Sequence, residues 1–361
     1  MIRGAFARRW LLLLPGLVVL AACAARPVPP APSDSQPSAA ATPPLHEGPL
    51  TDYLPAAGLR WLVVADLRRL TQAPLFRAGI DRLIPEERFA AYEKATGFDL
   101  RTTSQALVAG YSLGTIYLAT SNTDNALVEQ RFVERMPAGV VRHQAHPQVE
   151  VLVGMLGRTP AALVSQQRHL VGVAFGDPTL ARIVDAYARG KLGSKTALHG
   201  AALSPLADSV HDAPLEFYAP GPFPDQWAAG AGGIMETATA VRIDAAPEGE
   251  VLHVRVIVAG DWSEHAVEAR GRAERLWEQL AASVTGRLLG FGEPTRPPIF
   301  TASSDRIAAS VDLALRPLLD GLHAAVAADV RELLDLPPVR PVGPPPPTRD
   351  LGSRFESADC Q

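Results

Sequence analysis

The segment Gly110-Tyr111-Ser112-Leu113-Gly114 has the G-x-S-x-G spacing that, in an α/β-hydrolase, lifts a nucleophilic serine onto a sharp strand-to-helix turn. That chemistry needs a strand before the serine and a helix after it. Gln105–Ala109 supplies the strand. Thr115-Ile116-Tyr117-Leu118-Ala119 is β-branched and aromatic, and reads as a second strand. Tyr111–Gly114 is therefore expected to be a hairpin turn, which leaves Ser112 as the one catalytic candidate and a weak one. No His-Gly-Gly-Gly-type oxyanion segment exists. Eight histidines lie downstream, from His143 to His323, and none is singled out as its base.

His143 and His146 are spaced to bring two imidazoles together. A zinc site wants three or four ligands, and no cysteine or HExxH segment joins them, so a solvated pair in a turn before Pro147 is expected and no metal. Gly230-Ala231-Gly232-Gly233 lacks both the preceding strand and the spacing of a dinucleotide loop, and no GK[ST] occurs. It reads as a loop, and no cofactor is expected. Tyr218 to Pro224 is dense in turn formers and aromatics, and with Trp227 it would either pack down on a sheet or form a rigid contact surface. Asp66, Asp99, Asp177 and Asp261 each stand near an element end, where capping explains them.

These residues must be positioned by strands and helices in alternation. Leu59–Ala65 is a strongly apolar strand, followed by helices over 74–84 and 86–96, with Gly97 as a stop. A unit of two strands and a helix then recurs. Strands at 105–110 and 115–120 precede a helix near 124–136. Strands at 161–166 and 169–175 precede a helix from Asp177-Pro178 to Arg189. Strands at 237–245 and 251–259, joined through Pro247-Glu248-Gly249, precede a helix near 264–283. A last pair near 298–312 precedes a helix near 314–334, whose leucines and valines from Leu315 to Leu333 form one stripe. Gly176-Asp177 and Gly260-Asp261 occupy the same place between strand and helix. The fold class predicted is α+β: a largely antiparallel sheet with helices packed on one face, in repeated strand–strand–helix units. A core over 51–336 is expected, with two halves meeting near 190–213.

The ends of the chain are different. Arg3, Arg8 and Arg9 precede Trp10–Ala22, thirteen uncharged residues, too short to span a bilayer but right for a secretory leader. The stretch ends in Leu20-Ala21-Ala22-Cys23. Here the sequence resembles a bacterial lipoprotein, whose lipobox these four residues match. The resemblance covers residues 1–23 only, and the core resembles no family. It implies that 1–22 is a signal peptide, that the Cys23 thiol takes a diacylglycerol, and that cleavage frees an amine for a further acyl chain. Two or three chains anchor stably at about 0.8 kcal/mol per buried CH₂. The absence of Asp at position 24 points to the periplasmic face of the outer membrane. Residues 24–50 hold eight prolines and read as a tether. Residues 337–361, with Pro344–Pro347, read as a disordered tail.

The whole chain has 361 residues, 34 basic and 38 acidic, for a net charge of −4. Without its first 22 residues the charge is −7, which offers no electrostatic footprint to nucleic acid. Only two cysteines are present, so an acylated Cys23 leaves Cys360 without a partner in the chain. The associations expected are the membrane, through Cys23, and an envelope protein. The leading reading is a non-enzymatic binding or structural module of the cell envelope. A carrier of a lipid or other apolar ligand is the second, and a serine hydrolase using Ser112 the third.

Overall fold

Strand β1 (Leu59–Asp66) sits in the middle of one sheet, antiparallel to β2 (Gln105–Tyr111) on one side and to β8 (Leu215–Pro220) on the other. The computed structural model describes residues 44–122, 125–191, 195–207, 213–225, 227 and 231–327. The expected leader, Cys23, most of the tether, Cys360 and the tail 337–361 lie outside them, as do the caps at Thr123 and Asp124 and the end of the last helix. No described helix is long and apolar enough to cross a membrane.

Between β1 and β2 run α1 (Leu67–Gln72), α2 (Pro74–Leu83) and α3 (Glu86–Thr96). Then follow β3 (Gly114–Thr120), α4 (Ala126–Glu134), β4 (Val140–His146), β5 (Val149–Leu156), β6 (Thr159–Gln166), β7 (Leu170–Phe175) and α5 (Thr179–Ala188). The short α6 (Ser204–Ala207) leads to β8, β9 (Ala238–Glu248), β10 (Val251–Gly260), α7 (Ala266–Ala282) and α8 (Val284–Leu288). The described chain ends with β11 (Arg296–Ala302), β12 (Arg306–Ala314) and α9 (Leu315–Ala327). The twelve strands pair antiparallel in the order β11-β12-β10-β9-β8-β1-β2-β3-β7-β6-β5-β4. The fold is α+β.

The two halves repeat a path. A three-strand meander (β1-β2-β3, then β8-β9-β10) is followed by helix, and the chain then returns from the outer edge until its last strand, β7 or β12, pairs with the third. The hairpin β4–β5 and the strand β8 were not anticipated. Val140–His146 alternates polar and apolar only loosely, and turn formers from Pro220 onward mask the strand that ends there. Tyr218 is a buried strand residue, whereas Phe223 stacks on Trp227 with ring centroids 6.1 Å apart.

Side-chain alternation assigns the faces. Leu163, Val171 and Val173 pack with Val128 and Phe132 of α4, while their neighbours Ala162, Val164 and Leu170 pack with Leu180 and Val184 of α5. Helices α2, α3, α4, α7 and α9 lie on the first of these faces. Helix α5 lies on the second and departs from the single helical face expected. The reason is local: β6 is buried at every position from Ala161 to Gln166, so both of its faces need cover. In the second half the corresponding helix, α9, joins the first face instead, where Leu315, Leu318 and Leu319 meet Leu252 and Val311. The second face of β9, β10 and β12 carries Asp244, His253, Arg255 and Asp312 over one stretch, while Ala240, Ile257, Ala259 and Ala308 on the same face join the core cluster that includes Leu206 of α6.

Candidate ligand-binding cavity

An apolar cavity of about 490 Å³ lies on the first face, between the sheet and helices α3 and α4. Its floor is Val108 of β2, Tyr117 and Ala119 of β3, Val171, Val173 and Phe175 of β7, and Leu163 of β6. Its roof is Val128, Phe132 and Met136 from α4 and the turn after it, with Phe98 and Leu100 beyond α3. Small and β-branched residues make up much of the floor, with Ala106 and Ala119 opposite each other, and the helices bridge it without filling the space. The volume falls in the range typical of small-ligand sites.

The opening is marked by Tyr92 and Tyr117, 42% and 48% exposed. Arg135, at the C-cap of α4, is exposed there and is the only charged side chain in the lining. It makes no ion pair with another described residue. Burial pushes the Tyr92 hydroxyl above its ordinary value, while Thr96 and Arg135 pull it down.

Helix α3 has no buried residue. It is fastened from outside by Arg101, whose guanidinium donates to Glu86, to Glu93 at 2.8 Å and to Asp99 at 2.7 Å. Its last turn ends on Gly97 at φ 73°, where a Cβ would come within 2.9 Å of the Leu127 backbone of α4. Only glycine allows both the left-handed turn and that approach.

A second opening of about 360 Å³ lies on the other face of the second half, lined by Asp244, Ala246, His253, Arg255, Ser310 and Asp312 among others. It adjoins a buried ionic cluster. Arg242, 1% exposed, donates to Asp244 at 2.6 Å, to Glu216 at 3.2 Å and to the Leu206 carbonyl at 2.7 Å. The Tyr218 hydroxyl donates to Glu216 at 2.9 Å, and its ring lies under the guanidinium. Burial raises the Glu216 carboxyl above its usual range despite Arg242. His253 Nδ1 and Asp312 are 2.7 Å apart. The charges here are largely spent on one another.

Ser112 occupies the exposed two-residue turn between β2 and β3, with a strand and not a helix after it. Gly176, at φ 93°, packs against this turn, and a Cβ on it would meet the Leu113 carbonyl at 2.7 Å. His143 and His146 are on β4. His143 faces Arg182 at 2.9 Å, and buried His146 accepts from the Gln148 amide. No group of three metal-binding side chains occurs among the described residues. Gly230 lies outside those residues, and Gly232 and Gly233 turn into a short 3₁₀ segment. Asp66, Asp99 and Asp177 accept the amides of Arg69, Arg101 and Thr179 at the start of their helical turns, as expected, whereas Asp261 accepts from Ser263 in a turn before α7, whose first turn begins after His265. Sequence reasoning missed Arg135 and the Arg242 cluster. Arg242 and Asp244, two apart inside an apolar strand, were the available signal for the latter.

No family model matches the chain, and no curated protein matches it. Two solved structures of TP0453, in crystal forms III and I, are similar to it at a TM-score of 0.46 and 9% identity. They cover 77% and 78% of this chain, and the matches span 98% and 99% of those chains.

Proposed function

We propose that the protein is a non-enzymatic binding module of the cell envelope, lipidated at Cys23, that carries an apolar ligand in the cavity under α3 and α4. The observation that carries this reading is the cavity itself: about 490 Å³ with an almost wholly apolar lining, placed where the rest of the same face is filled by Leu, Val and Trp side chains. An unfilled apolar space of this size forfeits packing energy, about 24 cal/mol per Å³ in core-cavity series, unless an apolar guest occupies it. Residues 44–50 pack on the folded body, so a tether of residues 24–43 and the acyl anchor would hold the carrier beside a lipid source. An envelope protein would then be the donor or acceptor of the ligand.

The full-length protein purified from membranes and freed of bulk lipid is expected to retain an extractable apolar molecule, seen by native mass spectrometry. Val173→Trp, which fills the floor, is expected to lose it while keeping the unfolding free energy within about 1–3 kcal/mol of wild type. Wild-type protein with nothing bound after reconstitution with total membrane lipid would sink the proposal. Cys23→Ser is expected to leave the membrane fraction, and its retention there as processed protein would remove the anchor.

A further inference from the structure

We infer that the cavity takes a single-chain amphiphile with an anionic head group, its chain against β3, β6 and β7 and its head at Arg135. The inference rests on the carrier reading and adds the chemical class of the ligand.

Three observations converge on it. The lining has one charged side chain, and it stands at the opening, not in the interior. An ionised head group buried among Phe132, Leu163 and Val171 would lose its hydration without compensation, so the charge must stay at the opening while the chain goes in. Arg135 is exposed, makes no ion pair with a described residue, and offers the planar donor fork that suits a carboxylate or phosphate. The neutral polar groups near it, the Tyr92 hydroxyl and Thr96, add no competing negative charge. Finally, a methylene is close in bulk to a water molecule, whose share of liquid volume is about 30 Å³, so the cavity holds on the order of 16 of them. That is one acyl chain and not two. The polar opening on the other face is a poorer fit for such a ligand, because its apolar lining is limited to Ala213, Ala246 and Val254 and its acids and bases already pair.

The test uses the full-length protein in phosphatidylcholine vesicles and a palmitate probe with a diazirine on its chain. Irradiation is expected to label peptides containing Phe132, Leu163 or Val171. Unlabelled palmitate and hexadecyl phosphate are expected to suppress that labelling at about ten-fold lower concentration than hexadecanol, which has the same chain and no charge. A difference between palmitate and hexadecyl phosphate tells which head group is preferred. Arg135→Gln is expected to bring all three competitors within about two-fold of one another while a diazirine-bearing hexadecanol still labels the same peptides. Arg135→Lys is expected to restore most of the preference. A merely structural role for Arg135 would weaken all three alike. Equal competition by the three in the wild type overturns the anionic head group and leaves the carrier reading standing. Absence of labelling at the lining peptides with either probe overturns both.

Discussion

The cavity under α4 and the groove across β9, β10 and β12 are openings of similar size on opposite faces of one sheet, yet they are made of opposite materials. The first is lined by apolar side chains with one cation at its edge. The second sets acids and bases that pair with one another among Ala213, Ala246 and Val254. The difference begins in the strands. In the first half β6 and its neighbour β7 are apolar on both faces, so helix covers both, and imperfect cover leaves an apolar void. The strands of the second half mix buried Ala240, Ile257 and Ala308 with charged residues on the second face, so the short α6 meets part of that face and the rest is left polar. The path of the last helix of each half follows from this, with α5 crossing to the second face and α9 staying on the first. A repeated topology thus yields two different surfaces.

The contrast can be broken most forcefully at Arg242. Arg242→Met would strand the carboxylates of Asp244 and Glu216 inside the structure. It is expected to destabilise by about 3–5 kcal/mol in urea unfolding, and adding Asp244→Asn and Glu216→Gln should recover most of that. A single variant within about 1 kcal/mol of wild type would mean that the cluster is not sealed.

Gly97→Ala tests the other region. It forces a side chain into the left-handed turn and against Leu127, and about 1–3 kcal/mol is expected, concentrated in α3. Hydrogen exchange should show α3 opening while β9 and β10 are unchanged. Equal loss of protection in both halves would show that the cover and the sheet open together.

The smallest effect is in pH. Burial raises the Glu129 carboxyl, and Glu150 nearby raises it further, while Ser165 and Arg142 oppose this. A carboxyl raised in the folded state binds its proton more tightly there than when unfolded. Its contribution is present at low pH and is lost as pH rises from the ordinary glutamate range through the raised value. Glu216 acts in the same sense in the second half. Glu129→Gln is therefore expected to flatten part of the fall in stability across that window, read as urea midpoints against pH. An unchanged slope would assign the whole effect to Glu216.

The elements were more legible than their arrangement. The helices at 74–83, 86–96, 179–188 and 266–282 follow from stripes, caps and glycine stops, and the hairpin that holds Ser112 follows from the β-branched run after it. Asp66, Asp99 and Asp177 read as caps because capping is local chemistry, while Asp261 holds only the turn that precedes its helix. The cavity was not legible, since it arises from residues as far apart as Phe98 and Phe175. Arg135 looked like any surface arginine, because a cation becomes distinctive only when everything around it is apolar.

The antiparallel seam between β1 and β8 sets an order of assembly. Leu62 faces Tyr218 across some 150 positions of chain, whereas β2–β3 and β9–β10 close through two-residue turns. Closing so long a loop is entropically slow, so the seam should follow the local pairings. In a chain emerging amino-terminus first, β1 would wait with one edge unpaired until β8 arrived. Such an edge invites pairing with another copy, so the interval before closure is when this protein would be most exposed to aggregation.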